Sequence, residues 1–284
     1  MPNDAAVTHP LQVAVNGALA AKSQRDYDAA LRSIQDPFRL ALPAFRNTQL
    51  WAALLNAPAW FATAAEHDNY LAYADALMGM LEDACAASGP QLAYELAHHF
   101  LQGAQFRHTV HNDRMLTGFM TRRATIFGHA VANIDVPRSH VFPGAVANIG
   151  RPRLGIIFKH LREDPETTSV LPFFQTAKAS GIEVILFVGE AQGHAKFIRH
   201  LQDVCDKILP LPAKVADAVT ALRRENLDIL LFGNDITAKP SLPAYLSFFR
   251  VARRMCCCVS TLVTTASPQM DVYFGCDYYA ERGC

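Results

Sequence analysis

Four segments of this sequence carry side chains that could do chemistry. The densest is Lys159-His160-Leu161-Arg162-Glu163-Asp164-Pro165, with an imidazole, a guanidinium and two carboxylates together. An imidazole beside a carboxylate can move a proton near neutral pH. The same residues also suit a solvated loop in which Asp164 or Thr167 caps the following helix.

Gly189-Glu190-Ala191-Gln192-Gly193-His194 has two glycines, but their spacing is not the GxGxxG that brings backbone against a pyrophosphate. Gly233-Asn234-Asp235-Ile236-Thr237-Ala238-Lys239-Pro240 is polar and holds a lysine, and ordinary turn chemistry accounts for it equally well. Thr264-Thr265-Ala266-Ser267-Pro268 is small and hydroxyl-rich, which suits a close ligand approach or a simple turn.

His98, His99, His108 and His111 suggest a metal cluster. Adjacent helix residues diverge by about 100°, so His98 and His99 do not readily share one ion, and no metal is expected. The chain has no P-loop, GxSxG elbow, HExxH or kinase signature.

The elements that must position these segments divide into two kinds. From about Asn16 to Asn133 the apolar residues fall at helical spacing, as in Leu71, Ala74, Met78 and Leu81, with Asp68 placed to cap that helix and Ser88-Gly89-Pro90 to end it. Leu92, Leu96 and Phe100 mark a second helix. Leu116, Phe119, Met120, Phe127 and Val131 mark a third, entered through Asn112 or Asp113. The lengths suit tetratricopeptide-type arrays, but no consensus repeat is found.

Between Ile134 and Pro152 the periodicity disappears and Pro and Gly accumulate. Beyond it, short aliphatic runs alternate with amphipathic stretches: strands at Leu154 to Lys159, Glu183 to Val188, Asp206 to Leu209, Asp228 to Phe232, Cys256 to Thr261 and Asp271 to Gly275, with helices at 166–180, 192–204, 213–225 and 241–254. This is the pattern of βαβ units in a doubly wound parallel sheet. The expected fold is an all-α domain over 1–137, a linker over 138–152 and one Rossmann-like α/β domain over 153–284.

Composition limits the function. Lys plus Arg and Asp plus Glu number 26 each, leaving no basic field to hold a nucleic acid. The N-terminus has neither the charge nor the apolar core of a secretory signal, and no apolar run is long enough to span a bilayer, so a cytoplasmic location is expected. Seven cysteines without a CxxC pair or ladder read as free thiols, and Cys256-Cys257-Cys258 as part of a buried strand, with zinc ligation the lesser alternative.

The order of segments over roughly 115–284 resembles the GT-B protein glycosyltransferases: the nucleocytoplasmic O-linked N-acetylglucosamine transferases and the bacterial relatives that glycosylate adhesins at asparagine. Arg153-Leu154-Gly155-Ile156-Ile157-Phe158-Lys159-His160-Leu161-Arg162-Glu163-Asp164-Pro165 resembles the family's RIGYVSxDFxxHP opening strand. Leu227-Asp228-Ile229-Leu230, Phe249-Arg250-Val251-Ala252-Arg253, Thr261-Leu262-Val263-Thr264-Thr265-Ala266-Ser267 and Met270-Asp271-Val272-Tyr273-Phe274 follow in the family's order. The helix with Arg122-Arg123-Ala124-Thr125-Ile126-Phe127 is similar to the last one before the catalytic region of the adhesin-modifying branch. Two motifs depart. Asp164 stands where the O-linked enzymes have His before Pro, leaving His160 as the nearby imidazole, and Ser260-Thr261-Leu262 replaces the Gly-aromatic-or-His-Pro of the later loop.

The resemblance implies metal-independent transfer of a hexose or N-acetylhexosamine from a UDP-sugar to a side chain of a protein or peptide acceptor. It implies that His160 and Asp164 are the catalytic candidates on the acceptor side, with Thr264 and Thr265 near the donor phosphates. Lys159, Arg162, Asn234 and Lys239 are further candidates for substrate binding. In the family the donor is held chiefly by a second Rossmann-like lobe, absent from this sequence. One half of a catalytic unit is therefore expected, with no cofactor bound and no activity alone. The other reading is a non-catalytic interaction module whose helices form a peptide groove.

Overall fold

The computed structural model describes residues 4–105, 116–143, 150–161, 163, 165–191, 195–237, 240–258, 261 and 264–274; for 4–9, 159–161, 165, 166, 169, 190, 191, 195–198, 200 and 258 it describes the backbone alone. The chain forms two compact units, Met1–Asn133 and Ile134–Cys284.

The first unit is helical: α1 (Asp4–Ser23), α2 (Tyr27–Leu40), a 3-10 turn at Leu42–Phe45, α3 (Thr48–Leu55), α4 (Ala64–Ala87), α5 (Pro90–Gly103) and α6 (Thr117–Ala132). Asp26, Asn47 and Thr63 cap α2, α3 and α4 by accepting the N–H groups of Ala29, Leu50 and Glu66. The start of α4 departs from expectation: Thr63 caps it, four residues before His67 and five before Asp68. Thr63-Ala64-Ala65-Glu66 has the spacing of a capping box, and Glu66 Oε2 reaches back to the N–H of Ala62 at 2.7 Å. The second expected stripe is also displaced, since α5 buries Ala93, Leu96, Ala97, Phe100 and Leu101 while Leu92 is half-buried. The expected entry residues Asn112 and Asp113 lie outside the described residues.

Helix α3 shows how the unit accounts for its polar backbone. The last carbonyls of a helix have no partner inside it. Here Lys22 Nζ donates to Ala53 O at 2.6 Å, Tyr73 Oη to Leu54 O at 3.1 Å, and Tyr70 Oη to Leu55 O. Burial lowers the Lys22 ammonium to about 8 and raises both tyrosines. Against the other side of α3, Trp51 donates Nε1–H to Phe45 O at 2.8 Å and meets Phe100 edge-on, with ring centroids 5.3 Å apart.

The second unit is a six-stranded parallel sheet in the order β3-β2-β1-β4-β5-β6, built from β1 (Arg153–Leu161), β2 (Glu183–Ala191), β3 (Lys207–Pro210), β4 (Ile229–Phe232), β5 (Arg254–Cys258) and β6 (Val272–Phe274). It is the expected α/β, Rossmann-like arrangement. Helices α7 (Pro165–Ala179) and α8 (Ala195–Val204) cover one face, where Val170, Phe174 and Leu201 pack with Ile156, Phe158, Val184 and Leu186. Ile157, Ile185, Phe187, Leu230 and Phe232 are buried as well, and α10 (Leu242–Leu246) packs against β1 and against α9 (Val215–Arg224). Burial of successive residues explains why these strands read as continuous aliphatic runs.

The helix expected over 241–254 is confined to Leu242–Leu246. Ser247, at the end of this short helix, donates its hydroxyl to Ala244 O at 2.8 Å, and Arg250 N–H bonds Arg138 O at 2.7 Å, which draws the chain out of the helix toward β5. Three arginines tie residues 137–143 to this unit: Arg223 to Pro137 O, Arg250 to Arg138 O and Arg253 to Pro143 O.

Candidate functional site

Strand order in the sheet reverses between β1 and β4. After β1 the chain moves outward to β2, whereas after β4 it moves the other way to β5. Connections leaving the carboxyl ends of such a pair diverge and open a crevice, the usual ligand position in open α/β sheets.

Gly233 controls the start of that crevice. Its N–H bonds Ile157 O at 3.0 Å across the β1–β4 pair. A Cβ here would sit 2.8 Å from Cζ of the fully buried Phe158, so a larger residue would have to displace that ring. The turn then buries Ile236 and Thr237 and leaves Asn234 and Asp235 half-buried at the mouth. Thr237 donates both its N–H (2.7 Å) and its hydroxyl (2.6 Å) to Asp235 Oδ1. Thr261, fully buried after β5, donates its hydroxyl to Asn234 O at 3.4 Å.

The connection from β5 to β6 forms a second polar turn, tied to the end of α10. Thr264 and Thr265 hydroxyls accept the N–H groups of Ala266 and Ser267, each at 3.2 Å. A hydroxyl used as an acceptor keeps its own hydrogen to donate elsewhere. Ala266 between them has φ +48°, costly for a side chain with a Cβ. Ser267 anchors the turn by donating to Ser247 O at 2.5 Å. Of the buried polar side chains described in this unit, all but Thr167 lie in the segments leaving β4 and β5: Thr237, Ser247, Thr261, Thr265 and Ser267.

The sequence candidates distribute as follows. Asn234 lies at the crevice with Thr261; Thr264 and Thr265 share one turn, Thr264 exposed and Thr265 buried. Lys159 and His160 occupy the last turn-out of β1, His160 in register with Glu190, and only their backbone is described. Arg162, Asp164 and Lys239 lie outside the described residues. Sequence reasoning did not single out Asp235, Thr237 or Gly233 individually. The signal was the Asp-x-Thr spacing after a strand-ending glycine, which allows the side chain of one residue to hold another two positions on.

The histidine pair on α5 is turned apart, with rings 5.5 Å apart at 77°, and His99 Nδ1 is engaged with Thr48 Oγ1 at 3.0 Å. Among the described residues no group of three or more His, Cys, Asp or Glu could hold a metal ion. Cys85, Cys205, Cys256 and Cys257 are buried free thiols; burial raises Cys85 to about 12 and Cys205 and Cys256 to about 11, which keeps them from acting as nucleophiles at neutral pH. Among the described residues no helix is long and apolar enough to cross a membrane.

No family model and no curated protein matches this sequence. Among solved structures, a mutant O-GlcNAc transferase from Thermobaculum terrenum is similar at a TM-score of 0.41 and 16% sequence identity, over 96% of this chain and 54% of that one. The chain therefore spans about half the length of that enzyme's chain.

Proposed function

We propose that this chain is a protein glycosyltransferase module whose α/β unit supplies the acceptor-side wall of a cleft, where a protein side chain meets a UDP-sugar held mainly by a second lobe. The observation that carries this reading is the reversal of strand order between β1 and β4, with Gly233 turning the chain over β1 and the buried Thr237 and Thr261 holding the turn that follows. The reaction class comes from the sequence resemblance over 115–284. In this reading His160 and Asp164 face the acceptor, Lys159, Arg162, Asn234 and Lys239 bind substrate, and the hydroxyl hydrogens of Thr264 and Thr265 point toward the donor phosphates. The helical unit guides the acceptor protein, and transfer is metal-independent.

The test is an NMR titration of the chain with UDP-N-acetylglucosamine and UDP-glucose, with ADP-ribose as control and transfer to a protein mixture followed by mass spectrometry. Weak, saturable shifts in the α/β unit with the uridine sugars alone, and no turnover, are expected. Equal shifts with ADP-ribose, or no saturable shift, would remove the reading. Robust turnover by this chain would overturn the division of labour between lobes.

A further inference from the structure

Residues 137–143 lie along the α/β unit as a strap held by arginines. Arg223, in the last turn of α9, gives Nε to Arg250 O at 3.0 Å and Nη2 to Pro137 O at 2.6 Å and Ser139 O at 3.5 Å. Arg250 N–H bonds Arg138 O at 2.7 Å, and Arg253 Nη2 bonds Pro143 O at 3.2 Å. Within the strap His140 meets Phe142 edge-on, ring centroids 4.5 Å apart, and the Arg253 guanidinium lies 5.5 Å over the same ring. His140 and Phe142 are half-buried and the rest of the strap is exposed. With so little apolar surface behind it, docking is a local equilibrium that can shift while the sheet stays folded.

We propose that the strap is a proton-sensitive latch: with His140 neutral, Arg223 and Arg253 hold it on the α/β unit, and protonation of His140 loosens it. This stands apart from the proposed function. The charged groups that face His140 from the elements beside it are arginines. Arg253 is offset by Asp228 and Arg250 by Asp271, whereas Arg223 has no ion pair among the described residues. Glu225, just past α9, is paired with Arg153; Arg224 on α9, and Asp135 and Arg138 in the chain before His140, are exposed. A proton on His140 therefore sets a second positive charge beside that of Arg223. Burial first, and then the Arg223 charge, hold the imidazole below its usual value of 6.5. The docked strap thus binds fewer protons than the loosened one, so docking is at full strength well above pH 6.5 and weakens as pH falls through that value. Docking leaves only Asn133 to Val136 between the end of α6 and the first held carbonyl, so loosening lengthens the link between the two units.

The test is NMR of the full chain between about pH 5 and 8, where imidazoles titrate and the carboxylates stay ionised. Two signals are followed: the His140 ring carbons, and hydrogen exchange of Arg250 N–H, which is given to Arg138 O. Phe249 N–H, bonded to Leu246 O, is the internal reference. His140 should titrate below 6.5. Over the same pH range Arg250 protection relative to Phe249 should fall, by the ratio of the His140 acid constants in the loosened and docked strap. In His140→Gln, which cannot take the charge, that relative protection should not change with pH. Arg223→Gln keeps an N–H donor for Pro137 O but removes the charge, and should move the His140 titration up toward 6.5. An Arg250-to-Phe249 ratio that stays constant while His140 titrates, or a native His140 titrating at or above 6.5, overturns the proposal. So does an unmoved His140 titration in a folded Arg223→Gln chain.

Discussion

Asp228 holds the first residue of β1 by two opposed hydrogen bonds: its N–H donates to Arg153 O at 3.0 Å while its Oδ2 accepts the Arg153 N–H at 2.9 Å. The arrangement recurs along the amino edge of the sheet. Asp206 exchanges the same pair with Val184, and Asp271 with Met255, and each aspartate also pairs with an arginine, Arg253, Arg151 or Arg250. An Asp just before a strand thus satisfies the N–H of its neighbour, which the ladder has not yet reached.

Removing that acceptor strands a part-buried N–H and takes one ion pair from Arg253, which keeps its bonds to backbone carbonyls. Asp228→Ala is expected to destabilise the α/β unit by about 1–3 kcal/mol, read as a lower urea midpoint with unchanged slope. Asp228→Asn, which keeps an acceptor oxygen, should lose less. Equal stability of all three chains would mean that the device contributes nothing.

The same edge makes the unit sensitive to acid. Burial alone would raise Asp206 and Asp271, but the Val184 and Met255 N–H groups with Arg151 and Arg250 hold both below their usual value of 3.8. Hydrogen bonding from Lys207, helped by the charge of Arg153, lowers Glu183 below 4.5. At low pH the unfolded chain therefore takes up more protons than the folded one and is favoured. Stability should be level above about pH 5 and fall steadily as pH drops through 4 and below. Asp206→Asn should flatten part of that slope, and a urea midpoint independent of pH down to 3 would contradict the account.

Much of this was readable in the sequence, and the exceptions have physical causes. The four strand–helix–strand units showed because central strands buried on both faces must be aliphatic and their helices amphipathic. The length of α10 did not show, since Phe248, Phe249 and Val251 continue an apolar pattern and stay buried although the helix ends at Leu246. The cap of α4 was misplaced because Asp68 is as good a capping residue by type as Thr63, and only the Glu66 contact with Ala62 decides between them. At the site, hydroxyl-rich composition marked Thr264 and Thr265, but nothing in composition reports that Thr237 points both donors at Asp235.

Arg25 occupies a position where glycine is usual. It sits at φ +64° after α1, and its guanidinium lies 4.8 Å above Trp60 and pairs with Glu66. The side chain offsets a backbone penalty of about 1–2 kcal/mol. Arg25→Ala keeps the penalty and loses the clamp, whereas Arg25→Gly loses both. Thermal unfolding should therefore rank the native chain and Arg25→Gly close together, with Arg25→Ala lowest. Arg25→Ala as stable as Arg25→Gly would show that the backbone is not strained there.

The account depends most on the crevice at the β1–β4 reversal being where ligand binds, and amide hydrogen exchange of the whole chain with peptide acceptor and UDP-N-acetylglucosamine measures that directly. Slowed exchange from Gly233 to Thr237 and from Thr264 to Ser267, lost in Gly233→Ala, is the predicted result. Protection confined to the helical unit, with those two loops exchanging as in the free chain, would contradict it.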